Sequence, residues 1–524
     1  MENKQVFFKK KKAYDILFGI EFGYCLRLKN ILKEIYEKYR GKFNMKVLIM
    51  FISIFQVSIL TAYSSEIFFV TQSGAGLHNG LSAENAFSAS DLNNSGNWGI
   101  GAGKISGGDT VNLNGAITSS LTMQGSGSSG SVIIIDGTSA TLSGIFNASG
   151  RSYFTLQNLT FASGLTTTGI INCQLSTNAE LNNIIIPNYN TSKVINLNGA
   201  SYITVDGLTL NNLKYTGIGL SYYGTTQAHH ITFSNLNIVT TNDYMPDTQR
   251  DIITGCAHDI TIEKSYFYKR WSSQAGTSAH NDIWQFWGSL SNPSCVNPYN
   301  MTLRHSLLVT DVGYDGNYQF LMWEEGSGAH NIYGNVFVKK GTASGGSHIA
   351  IKEFFNNSTV NIYNNTFVQK DNGAYYLLNM LGVLSGQAPT VNFKNNIVYN
   401  SQNANGVIAK NAIVTFNHQY NTYYGGKNDG YSTTSCSVYA STGEICNSDP
   451  LFTDYENNEF SLQINSDAKG SGINLGAEYQ QQIKPGSTWP SPTLVTPTTI
   501  NIGAYGNDIL STKQPMSPTL ISIN

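Results

Sequence analysis

Between Asn242 and Phe354 the sequence concentrates residue types that can move protons and hold charge. Asp251-Ile-Ile-Thr254 and Asp282-Ile-Trp-Gln285 repeat one short pattern; Arg250 directly precedes the first aspartate and His280 stands two residues before the second. Lys264, Lys269, Arg270, Arg304 and Lys352 fall in the same stretch, with Glu263, His305 and Glu324-Glu325. Cations beside a base are what abstraction of the proton next to a uronate carboxylate requires, because that carboxylate must be neutralised before the neighbouring carbon releases its proton. In that chemistry His280 or Lys352 is the base and Arg250 the neutraliser. The two aspartates have three possible uses if they stack: holding calcium together with Glu324, dividing acid and nucleophile roles in glycoside hydrolysis, or capping bends through their own backbone. The spacing leaves all three open. Trp271, Trp284, Trp287 and Trp323 cluster in the same window, and aromatic faces stack on sugar rings. About half of them must point into a core if they lie on strands. Trp271 and Trp287, near loop ends, are expected to face outward, and a substrate surface is assigned to Trp271, Trp287, Trp323, Gln285 and Arg304. A plain ladder of surface charges is the competing reading for Glu263 with Arg304 and for Lys264 with His305.

A repeat must position these residues. Ile231-Thr-Phe-Ser-Asn-Leu-Asn-Ile238 recurs as Phe154–Phe161, Ile203–Leu210, Ile260–Phe267, Met301–Leu308, His330–Phe337, Val360–Phe367 and Val391–Val398, with a weaker copy at Ala179–Ile186. Most neighbouring copies begin about 24 to 31 residues apart, the period of a solenoid. Apolar residues alternate with Thr or Asn inside each copy, which is a strand period; a bend follows, and then a second alternating run. No helical period separates the copies. Strand, bend, strand and loop, with each strand landing on its predecessor, make a parallel β-helix. The second position reads Thr155, Thr204, Thr232, Thr261, Thr302, Asn331, Asn361, Asn392, and the sixth reads Ser265, Ser306, Asn335, Asn365, Asn396 in the later copies. Stacked one strand spacing apart, such columns form hydrogen-bonded ladders. The interval from Ile260 to Met301 is about ten residues longer than the usual period, an inserted loop of the kind that builds binding faces.

Charged residues make up 12% of the 524 positions and the formal net charge is −2, so a nucleic-acid partner is not expected. Met45-Lys46, the apolar run Val47 to Leu60 and Ala62-Tyr-Ser64 read as a secretory signal over 45–64. Residues 1–44 are then an upstream extension, with translation starting at Met45. The competing reading is a signal-anchor, which would make the membrane a partner if the segment stayed uncleaved. The remainder divides into an N-terminal cap and first coils (65–130), the parallel β-helix (131–445) and a closing segment with tail (446–524). Export places the chain outside the cell or on its surface, where a disulfide between Cys436 and Cys446 is plausible and Cys173 reads as a buried thiol.

Ile67-Phe-Phe-Val-Thr-Gln-Ser-Gly-Ala-Gly76, Asn79-Gly-Leu-Ser-Ala-Glu-Asn-Ala-Phe87 and Gly108-Asp-Thr-Val-Asn-Leu-Asn-Gly115 resemble the opening of exported right-handed β-helix proteins of the polysaccharide lyase-like superfamily. Asp449-Pro-Leu-Phe-Thr-Asp454, Glu459-Phe-Ser-Leu-Gln463, Gly470-Ser-Gly472 and Ile500-Asn-Ile-Gly-Ala-Tyr-Gly506 are similar to its closing cassette, with Gly506 where the family often has Glu. The resemblance implies an all-β fold, a right-handed single-stranded parallel β-helix solenoid. The superfamily holds lyases, hydrolases, epimerases and proteins without enzyme activity, so the resemblance fixes architecture rather than chemistry. The chondroitinase-like and alginate lyases that the chain resembles pair Lys and Arg with acidic calcium ligands, and Glu324-Glu325 is reminiscent of those; calcium is the candidate cofactor, with Asp251, Asp282 and Glu324 as its candidate ligands. The resulting expectation is a secreted protein that cleaves an extended acidic polysaccharide by β-elimination. A non-catalytic glycan-binding or adhesin-like solenoid and a glycoside hydrolase are the alternatives, and the oligomeric state is left open.

Overall fold

The computed structural model describes residues 65–189, 193–213, 216–242, 251–271, 282–312, 319–341, 346–355, 357–370, 376–384, 386–400, 407–425, 436 and 441–506. The expectations for 1–44 and 45–64 lie outside these residues. Among the described residues no helix is long and apolar enough to cross a membrane.

Each turn of the chain contributes three strands, exemplified by Ala257–Glu263, Tyr266–Trp271 and Trp284–Phe286. Strands of the first two kinds pair in parallel with their counterparts one turn away, forming two walls that meet at a bend; those of the third kind form a separate parallel wall. The fold is thus a right-handed parallel β-helix. Its register is that of the sequence repeat: Phe154 pairs with Ala179, then Ile203, Ile231, Ile260, Met301, His330, Val360 and Val391 follow in one column. Alternate side chains of these strands, such as Ile260, Ile262 and Phe267, form a continuous apolar interior.

The bend between the first two walls is where the sequence states the fold most strongly. Lys264, His305, Gly334, Asn364, Asn395 and Tyr420 all take a left-handed conformation there. Asn and Gly adopt it at little cost, which accounts for their frequency in the column. The next residue points inward, giving the buried file Ser265, Ser306, Asn335, Asn365, Asn396, Asn421. The amide N–H groups of Ser306, Asn335, Asn365 and Asn396 each donate to the side-chain oxygen one turn ahead, at 2.9–3.0 Å. The side-chain amide of Asn365 also donates to the Ile332 carbonyl at 2.8 Å and to Asn396 Oδ1 at 3.1 Å. A second file runs outside the first wall: Asn361 donates to Asn331, Asn392 to Asn361 and Asn417 to Asn392, all within 3.0 Å.

At the start, Ile67–Thr71 pairs with Phe87–Ser88 and with Thr110–Ile117, and the short helix Ala89–Leu92 is closed by a capping box between Ser88 and Asp91. At the other end, the closing segment runs back along the solenoid's flank. Phe452, Phe460, Leu462, Ile483, Ile502 and Tyr505 pack on Leu307, Val309, Val336, Val338, Val368 and Ile397, the outward side chains of the second wall. The Pro/Ser/Thr-rich stretch from Pro485 to Pro497 is part of this packing through Trp489 and Leu494, with Leu494–Val495 pairing antiparallel to Gln482–Ile483. Cys436–Cys446 and Cys256–Cys295 are disulfides, and Cys173 is a buried thiol.

Replacing Asn365 removes several buried hydrogen bonds at once and leaves the Asn335 amide groups without their acceptor. Asn365→Ala should therefore destabilise the solenoid by about 2–4 kcal/mol, read as a lower urea midpoint, whereas Asn417→Ala on the outer file should change it by under about 1 kcal/mol.

Candidate functional site

The third wall carries most of the residues singled out by sequence. Ile253 pairs with Trp284, Trp284 with Leu321 and Leu321 with Ile349. Asp251 and Asp282 are accordingly stacked, as their matching patterns imply. The column continues through Gln319 and Ser347; aligning the chain by pattern alone, with Tyr318-Gln-Phe-Leu321 and His348-Ile-Ala-Ile351 as the next copies, misses this register by one residue in each. A slip of one residue exchanges inside for outside. Both aspartates are fully buried. Asp251 Oδ1 accepts the Asp282 N–H at 2.8 Å, and Asp282 Oδ1 accepts the Gln319 N–H at 2.6 Å. These carboxylates join successive turns where the chain enters the third wall, the bend-capping use. Burial and the neighbouring Asp251 charge push the Asp282 carboxyl well above the usual carboxylate range. Lys269, one of the cations of the same stretch, is also interior, and its Nζ donates to the Asp282 carbonyl at 3.1 Å.

The outer side of the same wall presents a different set. Glu324 pairs in register with Lys352 on the next turn, and their side chains approach to 3.7 Å between Oε1 and Nζ. Gln285, one turn earlier, donates from Nε2 to Glu324 Oε2 at 3.1 Å. Glu353 follows Lys352 in a left-handed backbone conformation. Burial first, then the nearby Glu325 and Glu324, raise its carboxyl above the ordinary glutamate value, against the lowering effect of Lys352. Trp287 follows Phe286, which pairs with Trp323, so alternation directs it outward and ahead of Glu324; it is half-buried. The row therefore holds a carboxylate, an ammonium, an amide and a raised carboxyl within consecutive turns, a set able to bind an acidic sugar and exchange a proton with it.

Several expected site residues lie elsewhere. Trp323 is fully buried, its ring 5.2 Å from that of Trp284 inside the solenoid, because the side-chain alternation of its strand points it inward; it cannot stack on a substrate. Arg304 stands on the first wall, bonded to Glu263 Oε2 at 2.6 Å through Nε and to the Tyr333 hydroxyl at 3.0 Å, which is the charge-ladder reading. His305 is buried at the bend against the Gln481 carbonyl, and burial lowers its imidazole to about 4. Arg250 and His280 lie outside the described residues, as does the side chain of Trp271. The implied calcium ion does not fit the acidic residues described. Asp251 and Asp282 are sealed from solvent with one oxygen each on backbone amides, and Glu324 shares its oxygens between Gln285 and Lys352. Glu325 holds the Leu290 and Ser291 amides and the Ser291 hydroxyl.

Among the described residues, one group has metal-ligand spacing and was not anticipated: His230, His258 and Asp259, whose donor atoms lie within 4.8 Å of one another. The signal was present in the repeat alignment. His229-His230 immediately precede Ile231 and His258-Asp259 immediately precede Ile260, so the two dipeptides occupy the same place in consecutive copies.

No protein-family profile and no curated protein matches the chain. Among solved structures, it is similar to pectate lyase Pel9A at 14% identity and a TM-score of 0.39, over 86% of this chain and 98% of that one. A variant of the family 6 alginate lyase AlyGC gives 13% identity and a TM-score of 0.38, over 72% of this chain and 55% of that one. The lacto-N-biosidase from Eubacterium ramulus gives 8% identity and a TM-score of 0.27, over 72% and 69%. The fold assignment rests on the strand register described above.

The Asp282 carboxyl ionises at higher pH in the folded chain than in the unfolded one. Its contribution therefore favours the fold below the ordinary aspartate range and is lost as pH rises through the folded value. Asp282→Asn keeps an acceptor for the Gln319 amide without the charge. Its melting temperature should exceed that of the parent at neutral pH, and the advantage should vanish in acid below the ordinary aspartate range.

Proposed function

We propose that the chain is a secreted carbohydrate-active protein that lays an extended acidic polysaccharide along the outer face of the third wall and cleaves it by β-elimination. The observation that carries this reading is the partly exposed pair Glu324 and Lys352, held from below by the buried Gln285, with the raised Glu353 carboxyl beside it. Successive turns are about 4.8 Å apart, close to the length of one sugar unit in an extended chain, so consecutive turns can meet consecutive sugars. The closing segment packs on the second wall, and the outer side of the third lies away from that packing.

In this proposal the Lys352 ammonium neutralises the uronate carboxylate, which stabilises negative charge developing on the adjacent carbon. Arg250, one residue ahead of Asp251, assists as a second neutraliser; His280, two residues ahead of Asp282, is the base. Those two aspartates are stacked partners on neighbouring turns. The base takes the proton from C5, the C–H electrons form the C4–C5 double bond, the C4–O4 bond breaks, and Glu353 returns a proton to the departing oxygen. Gln285 holds Glu324, and Glu324 positions Lys352. Trp287 offers a ring face to the sugar.

Incubation with pectin, alginate and chondroitin should produce unsaturated-uronate absorbance with at least one of them. On that substrate Lys352→Ala and His280→Ala should each lower kcat/KM by about 100-fold or more. New reducing ends without the absorbance would make the chain a hydrolase. Silence on all three with retained glycan binding would make it a binding solenoid.

A further inference from the structure

We propose that the first wall carries a transition-metal site formed by His230, His258 and Asp259, with His229 packed against the two histidines. The site is independent of the cleavage reading, because it lies on a different wall and shares no residue with the Gln285 to Glu353 row.

The backbone makes the cluster. His230 and Asp259 both adopt left-handed φ values, 53° and 54°, as do Tyr202 and Asn300 in the same column of neighbouring turns. The strand register skips these positions: His229 pairs with His258, then Ile231 with Ile260. A strand otherwise sends successive side chains to opposite faces; one extra left-handed residue lets two neighbours emerge on the same side. Two consecutive turns thereby deliver three donors to one spot, with His229 beside them. His229 Nδ1 and His230 Nδ1 are 2.7 Å apart, His258 Nδ1 and Asp259 Oδ2 are 2.7 Å apart, and His230 Nδ1 lies 3.7 Å from the same Asp259 oxygen. Two facing imidazole nitrogens at that distance share either a proton or a cation, since two lone pairs alone repel.

The surroundings hold the donors in place. The His258 ring stacks between His229, at 5.0 Å, and Tyr299, at 4.4 Å, while His230 stacks on Tyr202 at 4.7 Å. Asn300 Nδ2 donates to Asp259 Oδ1 at 2.7 Å, which leaves Oδ2 turned to the histidines. Outer partners of this kind fix the orientation of metal ligands. The His230 side chain is 46% exposed, so an ion can enter and retain a solvent position. Imidazole nitrogens with a single carboxylate select Zn²⁺, Ni²⁺ or Cu²⁺ over Ca²⁺ and Mg²⁺, which prefer all-oxygen shells. A bound ion would fasten two turns together beside Tyr299 and Asn300, which close the loop tied down by Cys256–Cys295.

The test is calorimetric titration of the chelator-treated protein with ZnCl₂, repeated with CaCl₂. One equivalent of zinc should bind and raise the melting temperature, and calcium should do neither at this site. His258→Gln should weaken zinc binding by about 100-fold and Asn300→Ala by about tenfold. Absence of a one-equivalent zinc site, or zinc binding unchanged in His258→Gln, overturns the proposal. A measurement on the unaltered protein guards against a misfolded variant: zinc should slow diethylpyrocarbonate modification of His230 and His258, read by peptide mass spectrometry, while leaving exposed His78 unaffected. Equal rates with and without zinc also overturn it.

Discussion

The structure depends on hydrogen bonds that can be made only when each turn lies in phase on the next. A buried asparagine has an acceptor and two side-chain donors to satisfy, and leaving one unmade costs about 1–3 kcal/mol. At Asn365 and Asn396 the acceptor is taken by the backbone and side-chain amides of the preceding turn, while the side-chain donors reach the next turn's oxygen and an earlier carbonyl. Apolar burial alone would tolerate a register error between neighbouring turns, because one Ile replaces another at similar cost. The polar file does not, since a slipped turn orphans every group in it. The apolar interior supplies the driving force and the asparagine file selects the register.

That phase places the chemistry. Once the bend is fixed, alternation decides which residues of the third wall face out and which face in, and it separates residues that look equivalent in sequence. Glu324 and Lys352 reach the solvent side, whereas Asp282 and Trp323 are enclosed. The enclosed acids still act, but within the scaffold: each receives an amide from the next turn where the chain re-enters the wall. The closing segment covers the second wall and seals His305 at the bend. The polar row and the histidine cluster consequently stand on different walls.

Much of this was legible in the order of residues. The strand period, the bend, the two polar files and the column from Phe154 to Val391 follow from the repeat, because each copy has the same job and stacking gives each position the same environment. The stacking of Asp251 on Asp282 was readable for that reason. The phase of the following third-wall strands was not: loops of different length precede them, and a single residue more or less reverses a strand's faces. Arg304 looked like a substrate contact because charge and proximity in sequence do not say which wall a residue occupies. The pairing of Cys256 with Cys295 likewise needed three-dimensional contact, since nothing in their spacing distinguishes them from Cys173.

By itself the sequence determined the architecture and the register of the first two walls, since periodic strands with hydrogen-bonding bends have one way to bury their apolar faces and satisfy their amides together. Only the tertiary structure decided which of the charged and aromatic residues share a surface. That outcome depends on loop lengths, on the left-handed residues that turn His229-His230 and His258-Asp259 outward in pairs, and on a closing segment that covers one wall. These are relations between turns, and no single turn contains them.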